Sequence, residues 1–355
     1  MTTVDTGPAQ HKLLSKLGIA AFAGIFALGA CGEAAEEADG GGAQEDNAAD
    51  IGDDEDTGTD NGDDPGEDSD PEGEIDGEGD PIRIVGVPAE EATQLEAGFE
   101  LLMEVIAGES GRPVEFNHST DYNAVIEAMV AGQADMGIGS PFTYVRAGDA
   151  GAGVDVLGGR IEEEGEEAGY VSYALVRSDS DISSLEQVEG ESVCYVEQGS
   201  TSGFLYPSAG MLEAGLDPED DVDPVYPGSH DGAILALLDG QCELAFAYDS
   251  MVDVLMPNRG ELDESDYEIV WESPLIPASP IFMNTDTLDD ETQNELRRMF
   301  DDGLINVDAL AEAGYCGSAD DCSLPEESYE YTPVEDEIYD GIREVCDITE
   351  AEACD

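Results

Sequence analysis

The sequence contains very few basic residues. Lysine and arginine together number 11, against 86 aspartates and glutamates, and the formal net charge is −75. Nucleic acids and anionic membrane surfaces bind through basic patches, so we expect neither as a partner. A dense carboxylate surface is instead typical of a protein that works in high salt, where its self-repulsion is screened.

Histidine is scarce as well, with three residues in the chain: His11, His118 and His230. A zinc site of cysteine and histidine needs close cysteine pairs combined with histidines, and this pattern is missing here. We therefore expect no bound metal ion and no other cofactor. The alternative use of the cysteines is in disulfide bonds.

The seven cysteines divide into Cys31, near the N-terminus, and an even set of six. An even set predicts disulfide bonds in a protein outside the cytoplasm. Six cysteines allow about fifteen connectivities. The entropy of loop closure favours bonds between cysteines that are close in the sequence, which are Cys316–Cys322 and Cys346–Cys354. Cys194 and Cys242 then remain as the third pair.

Long apolar runs are also few, and the clearest lies within residues 12–31. Two lysines precede an apolar run of signal-peptide length, which is short for a membrane-spanning helix. The ending Leu28-Gly29-Ala30-Cys31 resembles a bacterial lipobox, so we expect residues 1–31 to be a lipoprotein signal peptide and Cys31 to carry the lipid. An uncleaved anchor helix is the alternative. The prediction is a protein held at the outer face of the cell membrane by lipid alone.

Residues 32–80 are rich in acids and glycine, contain no basic residue, and have only Ile51 and Ile75 as large apolar residues. Such a segment cannot bury enough surface to offset its ordering entropy, which predicts a disordered acidic linker. Its expected role is to tether the folded part to the membrane. A cation-collecting segment is the alternative.

The composition becomes globular from residue 81, and short apolar runs alternate with helical patterns. Strands separated by helices predict an α/β fold with mostly parallel sheets. The chain is expected to cross from one lobe to the other near residues 177–181 and to return near residues 272–279, so that two crossings divide the fold into two lobes. The predicted lobes are 81–178 with 274–355, and 179–273.

Polar clusters recur where an apparent strand ends and a helix begins. They are "STDY" (119–122), "GSPFTY" (139–144), "GSTSG" (199–203) and "GSHD" (228–231). Ligands of open α/β sheets bind at this edge, and the N–H groups of helix starts favour an anion. The sequence therefore predicts an oxyanion site made of helix starts.

These clusters and their surroundings carry a family resemblance. The segments "STDYNAVIEAMVAGQADMGIGSPFTYV", "GSTSGFLYPSAGMLEAGLDP" and "PGSHDGAILALLDGQCELAFAYDS" resemble the phosphate, phosphite and phosphonate substrate-binding proteins of ABC importers. The resemblance implies a type II periplasmic-binding-protein fold with its ligand between the lobes, and a permease with its ATPase as partners. We expect a monomer. The implied ligand-binding residues are Tyr122, Tyr144, Ser200, Thr201, Ser202, His230 and Asp249.

Each of these residues also has a purely structural interpretation. The hydroxyls of residues 200–202 could cap a helix, His230 and the two tyrosines could be packing residues, and Asp249 could cap the next helix. We favour ligand contact because a cap needs one hydroxyl and three are present. For Asp249, a carboxylate beside an oxyanion makes sense if the ligand keeps a proton, which would also exclude sulfate.

Two other functions fit parts of the pattern. Ser200, His230 and Asp249 could form a hydrolase triad, but "GSTSG" places Thr201 at the centre of the motif where a nucleophile elbow has serine. We therefore predict no enzymatic activity. A binder or sensor of sulfonates or other small organic anions with the same fold is the second alternative.

Overall fold

The computed structural model describes residues 79–90 and 92–354, with side chains omitted for residues 92–97. Cys31 and nearly all of the acidic linker lie outside the described residues, so their predicted roles stay predictions. All of the described residues belong to one compact unit.

The described residues form thirteen strands, most of which are separated by helices or helical turns. In chain order they are β1 (Ile82–Gly86), β2 (Val114–His118), β3 (Met136–Ile138), β4 (Val154–Ile161), β5 (Gly169–Tyr170), β6 (Ser172–Arg177), β7 (Ser192–Cys194), β8 (Asp223–Val225), β9 (Leu244–Tyr248), β10 (Tyr267–Glu272), β11 (Ile276–Pro277), β12 (Pro280–Asn284) and β13 (Glu330–Thr332).

Nine α-helices lie between and after these strands in the described part of the chain. They are α1 (Ala92–Ser110), α2 (Tyr122–Val130), α3 (Pro141–Asp149), α4 (Tyr206–Glu213), α5 (His230–Leu238), α6 (Met256–Arg259), α7 (Asp290–Asp301), α8 (Val307–Ala313) and α9 (Asp340–Thr349). Two π-helical turns, Thr201–Leu205 and Met251–Leu255, lead directly into α4 and α6.

The strands form two main sheets, one for each lobe. The first has the order β13-β4-β12-β3-β1-β2 and the second β10-β6-β9-β7-β8. Strands β1, β2 and β3 pair in parallel, as do β7, β8 and β9. The strands next to the crossings pair antiparallel. The sheets are therefore mixed rather than mostly parallel, because strands at the crossings enter each sheet in the reverse direction.

The first crossing lies earlier than the sequence predicts. Ser172–Arg177 was expected in the first lobe, but it pairs with β9 and β10 in the second sheet. The short strands β5 and β11 pair with each other at the crossing. The apparent single strand over 169–178 is thus two strands, and the second lobe begins near residue 172.

Side chains from the strands and from the helices packed on them form the cores. In the first lobe Ile84, Leu102 and Phe300 are fully or almost fully buried, and in the second Val193 and Phe246 are. A further cluster contains side chains of both lobes. Burial of these apolar residues fixes the sheets and thereby the strand ends and helix starts around the site.

Three cysteine pairs are joined in the structure, the same pairs that loop closure favours. The Cα–Cα distances are 5.8 Å for Cys194–Cys242, 5.5 Å for Cys316–Cys322 and 5.7 Å for Cys346–Cys354. The first pair connects the end of β7 to the segment before β9 inside the second lobe.

Candidate functional site

A small cavity lies between the lobes, with a volume of about 30 Å³. Its walls come from both lobes and from all four polar clusters found in the sequence. The lining residues are Val87, Ala89, Tyr122, Gly139, Ser140, Tyr170, Ser200, Ser202, His230, Tyr248, Ser279 and Glu326.

Each helix start at this cavity is fixed by a local cap. Asp121 accepts a hydrogen bond from the N–H of Ala124 at the start of α2, and Ser140 accepts one from the N–H of Thr143 in α3. Ser200 accepts one from the N–H of Gly203 at 3.0 Å. Such caps hold the chain so that the residues at the helix start face the strand ends.

His230 is the first residue of α5 and is buried, with 3% of its surface exposed. Burial lowers its pKa to about 3, so the imidazole is neutral at ordinary pH. Nδ1 accepts the N–H of Tyr248 at 3.4 Å, which assigns the proton to Nε2. Nε2 lies 3.4 Å from Oγ of Ser200 and is a neutral donor at the cavity.

Two tyrosines add hydroxyl groups. Tyr122 begins α2, and burial raises the pKa of its phenol while an interaction with Ser200 acts in the opposite direction. Tyr248 is the last residue of β9 and is 4% exposed. Its hydroxyl is buried and has no hydrogen-bond partner among the described residues. An unpaired buried hydroxyl is costly, so this one is poised to donate to a ligand.

Thr201 has a different place from its two serine neighbours. It is fully buried but does not line the cavity, and its Oγ1 accepts the N–H of Phe142, the second residue of α3, at 3.0 Å. This bond joins the lobes. A second bond between them runs from the N–H of His230 to the carbonyl of Ala89, at 3.0 Å. The lobes are therefore closed over the cavity.

Tyr144 does not line the cavity. It lies one turn into α3, where its hydroxyl donates to Asp336 at 2.6 Å. Its ring packs against Phe282 and Tyr339, with centroid distances of 5.3 and 5.0 Å. Tyr144 thus fastens the C-terminal segment to α3.

Asp249 does not line the cavity either. Its carboxylate accepts the N–H groups of Val171 at 2.9 Å and Ser250 at 3.0 Å, so it stabilises the crossing between lobes. Neighbouring residues of an extended chain point to opposite faces, and Tyr248 takes the cavity side. Burial, reinforced by the charge of Glu162, raises the pKa of Asp249 to about 6.

Several lining residues escaped the sequence analysis. Tyr248 precedes Asp249 directly, and the alternation of strand side chains could have identified it. Tyr170 and Ser279 lie beside the crossings, where no motif marks them. Glu326 belongs to the C-terminal segment, which reaches the cavity because β13 pairs with β4.

A buried cation, the guanidinium group of Arg160, lies against the rings of Tyr170 and Tyr248. Arg160 in β4 is 2% exposed, and its guanidinium carbon lies 5.9 Å from the ring centroid of Tyr170 and 5.8 Å from that of Tyr248. Its nitrogens contact Glu162 at 2.8 Å and Glu326 at 3.1 Å. Burial opposes ionisation, but these two carboxylates raise the pKa of Arg160, so it stays charged.

Within the part of the chain that the structure covers, no group of three or more histidine, cysteine or acidic residues is arranged to hold a metal ion. No described helix has both the length and the apolar composition to cross a bilayer. The hydrogen-bonding groups at the cavity are chiefly hydroxyls, one imidazole and one carboxylate.

Two α/β lobes closed over a small cavity, into which several hydroxyl groups and one imidazole project, define a ligand-binding protein of the periplasmic type. The family model of the periplasmic phosphonate-binding proteins of ABC transporters matches residues 84–302. The phosphate-import protein PhnD of Mycolicibacterium smegmatis is 39% identical over 282 residues, covering 77% of this chain and 87% of the relative. The chain therefore belongs to the family of phosphonate-binding periplasmic proteins of ABC transporters.

Solved structures show the same fold. The binding component of an ABC phosphonate transporter from Pseudomonas aeruginosa has a TM-score of 0.65 at 21% identity, covering 76% of this chain and 86% of that one. PhnD1 of Prochlorococcus marinus, in complex with methylphosphonate, has a TM-score of 0.64 at 15% identity, covering 76% and 98%. The predicted type II periplasmic-binding fold is confirmed.

Proposed function

We propose that this chain captures a small phosphorus oxyanion, namely phosphate, phosphite or a phosphonate, and delivers it to the permease of an ABC importer. The observation that carries the proposal is the set of uncharged donors around one closed cavity. Ser200, Ser202, Tyr248 and the Nε2–H of His230 come from the second lobe, and Tyr122 comes from the first. Such donors bind an oxyanion without a metal ion.

The names of similar proteins support this ligand class, since one is a phosphate importer and another holds methylphosphonate. The chemistry of the cavity also supports it, because hydroxyl groups and one neutral imidazole are donors that suit the oxygens of a small oxyanion.

The geometry argues against a serine hydrolase. A triad needs a carboxylate that accepts the Nδ1–H of the histidine, which leaves Nε2 free as the base. Here Nδ1 of His230 accepts the N–H of Tyr248, and the carboxylate of Asp249 is bonded to two backbone N–H groups elsewhere. Nε2 therefore carries a proton and cannot take one from Ser200.

The position in the cell follows from the N-terminal motif. We propose that Cys31 carries a lipid which holds the chain at the outer face of the membrane, that residues 32–80 act as the tether, and that the protein works as a monomer. Replacing Cys31 by alanine should move the protein from the detergent phase to the aqueous phase in a phase-partition assay. Retention in the detergent phase would contradict the anchor.

Calorimetric titration of the purified chain tests the proposed function. In high salt, at least one of phosphate, phosphite and methylphosphonate should bind with a stoichiometry near one, and sulfate should bind more weakly. Affinity should change little between moderate and high salt, because buried dipoles act over a few ångströms and the surface carboxylates are already screened. Absence of binding by every phosphorus oxyanion would refute the proposal, and a steep loss of affinity with salt would refute the dipole mechanism.

A further inference from the structure

Glu326 is a cavity residue with an unusual backbone. It belongs to the turn Pro325–Glu327 and has φ 58°, in the left-handed region that side chains other than glycine rarely adopt. It lies beyond residues 84–302, the part that matches the family model. A non-glycine residue held in this conformation beside a ligand cavity points to a role for its side chain.

The side chain of Glu326 lies between the cavity and Arg160. It is 18% exposed, lines the cavity and pairs with Nε of Arg160 at 3.1 Å. Arg160 is also paired with Glu162, so one cation already faces two carboxylates. An anion that enters the cavity therefore meets a local excess of negative charge unless a proton comes with it.

From this geometry, and resting on the proposed function, we propose that Glu326 and the bound oxyanion share one proton, so that Glu326 selects ligands carrying a P–O–H group. An ionised carboxylate is only an acceptor, and the hydroxyl of a monoprotonated phosphate or phosphonate is a donor. Sulfate brings no proton near neutral pH and would place bare anion against carboxylate. Like charges so close together disfavour binding strongly.

This role replaces the one that the sequence predicts for Asp249. Both oxygens of Asp249 accept backbone N–H groups at the crossing, whereas Glu326 lines the cavity. The selection mechanism is the same, but the carboxylate comes from the C-terminal segment of the first lobe. An ammonium group is the other partner a carboxylate could hold, but Glu326 already pairs with the cation of Arg160.

Other groups near Glu326 bear on any dependence on pH. Burial and the Glu162 charge raise the pKa of Glu326, and the Arg160 charge lowers it. His230 shares the cavity and stays neutral because its pKa is lowered to about 3. The remaining titratable groups that interact with Glu326 are Glu90, Tyr122, Tyr170, Tyr248 and Tyr331. Burial raises the pKa of each of these five.

The test compares Glu326→Gln with Glu162→Gln by calorimetry, using methylphosphonate, phosphate and sulfate over a range of pH. Glu162 contacts the same Arg160 but does not line the cavity, so its variant controls for the loss of one charge. In the wild type, affinity for methylphosphonate should fall about tenfold per pH unit above the second pKa of the ligand, which is the slope for one proton. In Glu326→Gln this fall should largely disappear, and affinity for sulfate relative to phosphate should rise at least tenfold. Glu162→Gln should keep both the slope and the selectivity.

Glu326→Gly keeps the proposal testable if the glutamine variant is unstable. Glycine suits φ 58° and relieves the backbone strain, which partly offsets the loss of the ion pair with Arg160, so this variant should fold. It should show the same loss of pH slope and of selectivity. An unchanged slope and unchanged selectivity in both Glu326 variants, or an equal effect of Glu162→Gln, would overturn the proposal while leaving the ligand class intact. Failure of the wild type to bind any phosphorus oxyanion would instead overturn the proposed function.

Discussion

Replacing Tyr248 by phenylalanine should weaken ligand binding without lowering the stability of the ligand-free protein. The hydroxyl of Tyr248 is buried at the cavity without a partner among the described residues. If it donates to the bound oxyanion, its removal deletes a hydrogen bond to a charged group, worth about 1.5–3 kcal/mol. Affinity should therefore fall by roughly 10- to 150-fold.

The stability of the ligand-free protein should not fall with it. Removing a buried hydroxyl that has no partner relieves a desolvation cost of about 1–3 kcal/mol, so the free energy of unfolding should stay the same or rise. Chemical unfolding monitored by fluorescence measures this quantity, and calorimetric titration measures the affinity.

Tyr339→Phe is the matched control. Tyr339 is fully buried, and its hydroxyl donates to the carbonyl of Ala278 at 3.0 Å, outside the cavity lining. Its loss should lower the free energy of unfolding by about 1 kcal/mol and leave the affinity unchanged. If Tyr248→Phe kept wild-type affinity, or lost as much stability as the control, the hydroxyl of Tyr248 would not be a ligand donor.

Four further changes test the site and the fold. Thr201→Val leaves the N–H of Phe142 without its partner when the lobes are closed. The free energy of ligand binding should weaken by about 1 kcal/mol, which corresponds to an affinity about fivefold lower. Wild-type affinity in a calorimetric titration would contradict this. The pKa of His230 is lowered from 6.5 to about 3, so between these pH values the histidine gains a proton only in the unfolded chain. The free energy of unfolding of the wild type should therefore fall by about 2 kcal/mol more than that of His230→Gln when the pH is lowered from 7 to 5. Parallel pH profiles of the two proteins would argue against a neutral buried histidine. Replacing both Cys194 and Cys242 by alanine opens a loop with a sequence separation of 48 and should cost about 4 kcal/mol in denaturant unfolding. Opening the Cys346–Cys354 loop, with a separation of 8, should cost about 2.5 kcal/mol, and equal costs would contradict the loop-length argument.

The sequence by itself determined the helix starts that surround the cavity. Ser140 and Ser200 cap the turns that follow them, and these bonds join residues three positions apart. Local hydrogen bonds of this kind are encoded in a few neighbouring residues, so the sequence shows them directly. The same locality identified Ser202 and His230, and the residue pattern together with the family resemblance gave the α/β class.

Only the tertiary structure decided which side chains of neighbouring segments face the ligand. Tyr248 rather than Asp249 lines the cavity because β9 pairs with β6 and β7 in a fixed register. Glu326 arrives there through the pairing of β13 with β4, between segments about 170 residues apart in the chain. Ser172–Arg177 joins the second lobe through the same kind of long-range pairing. Local alternation along β9 shows that Tyr248 and Asp249 face opposite sides, but only the packing shows which side is the cavity. The pairings that place Glu326 and Ser172–Arg177 depend on the packing of the whole chain, and no local pattern in the sequence records them.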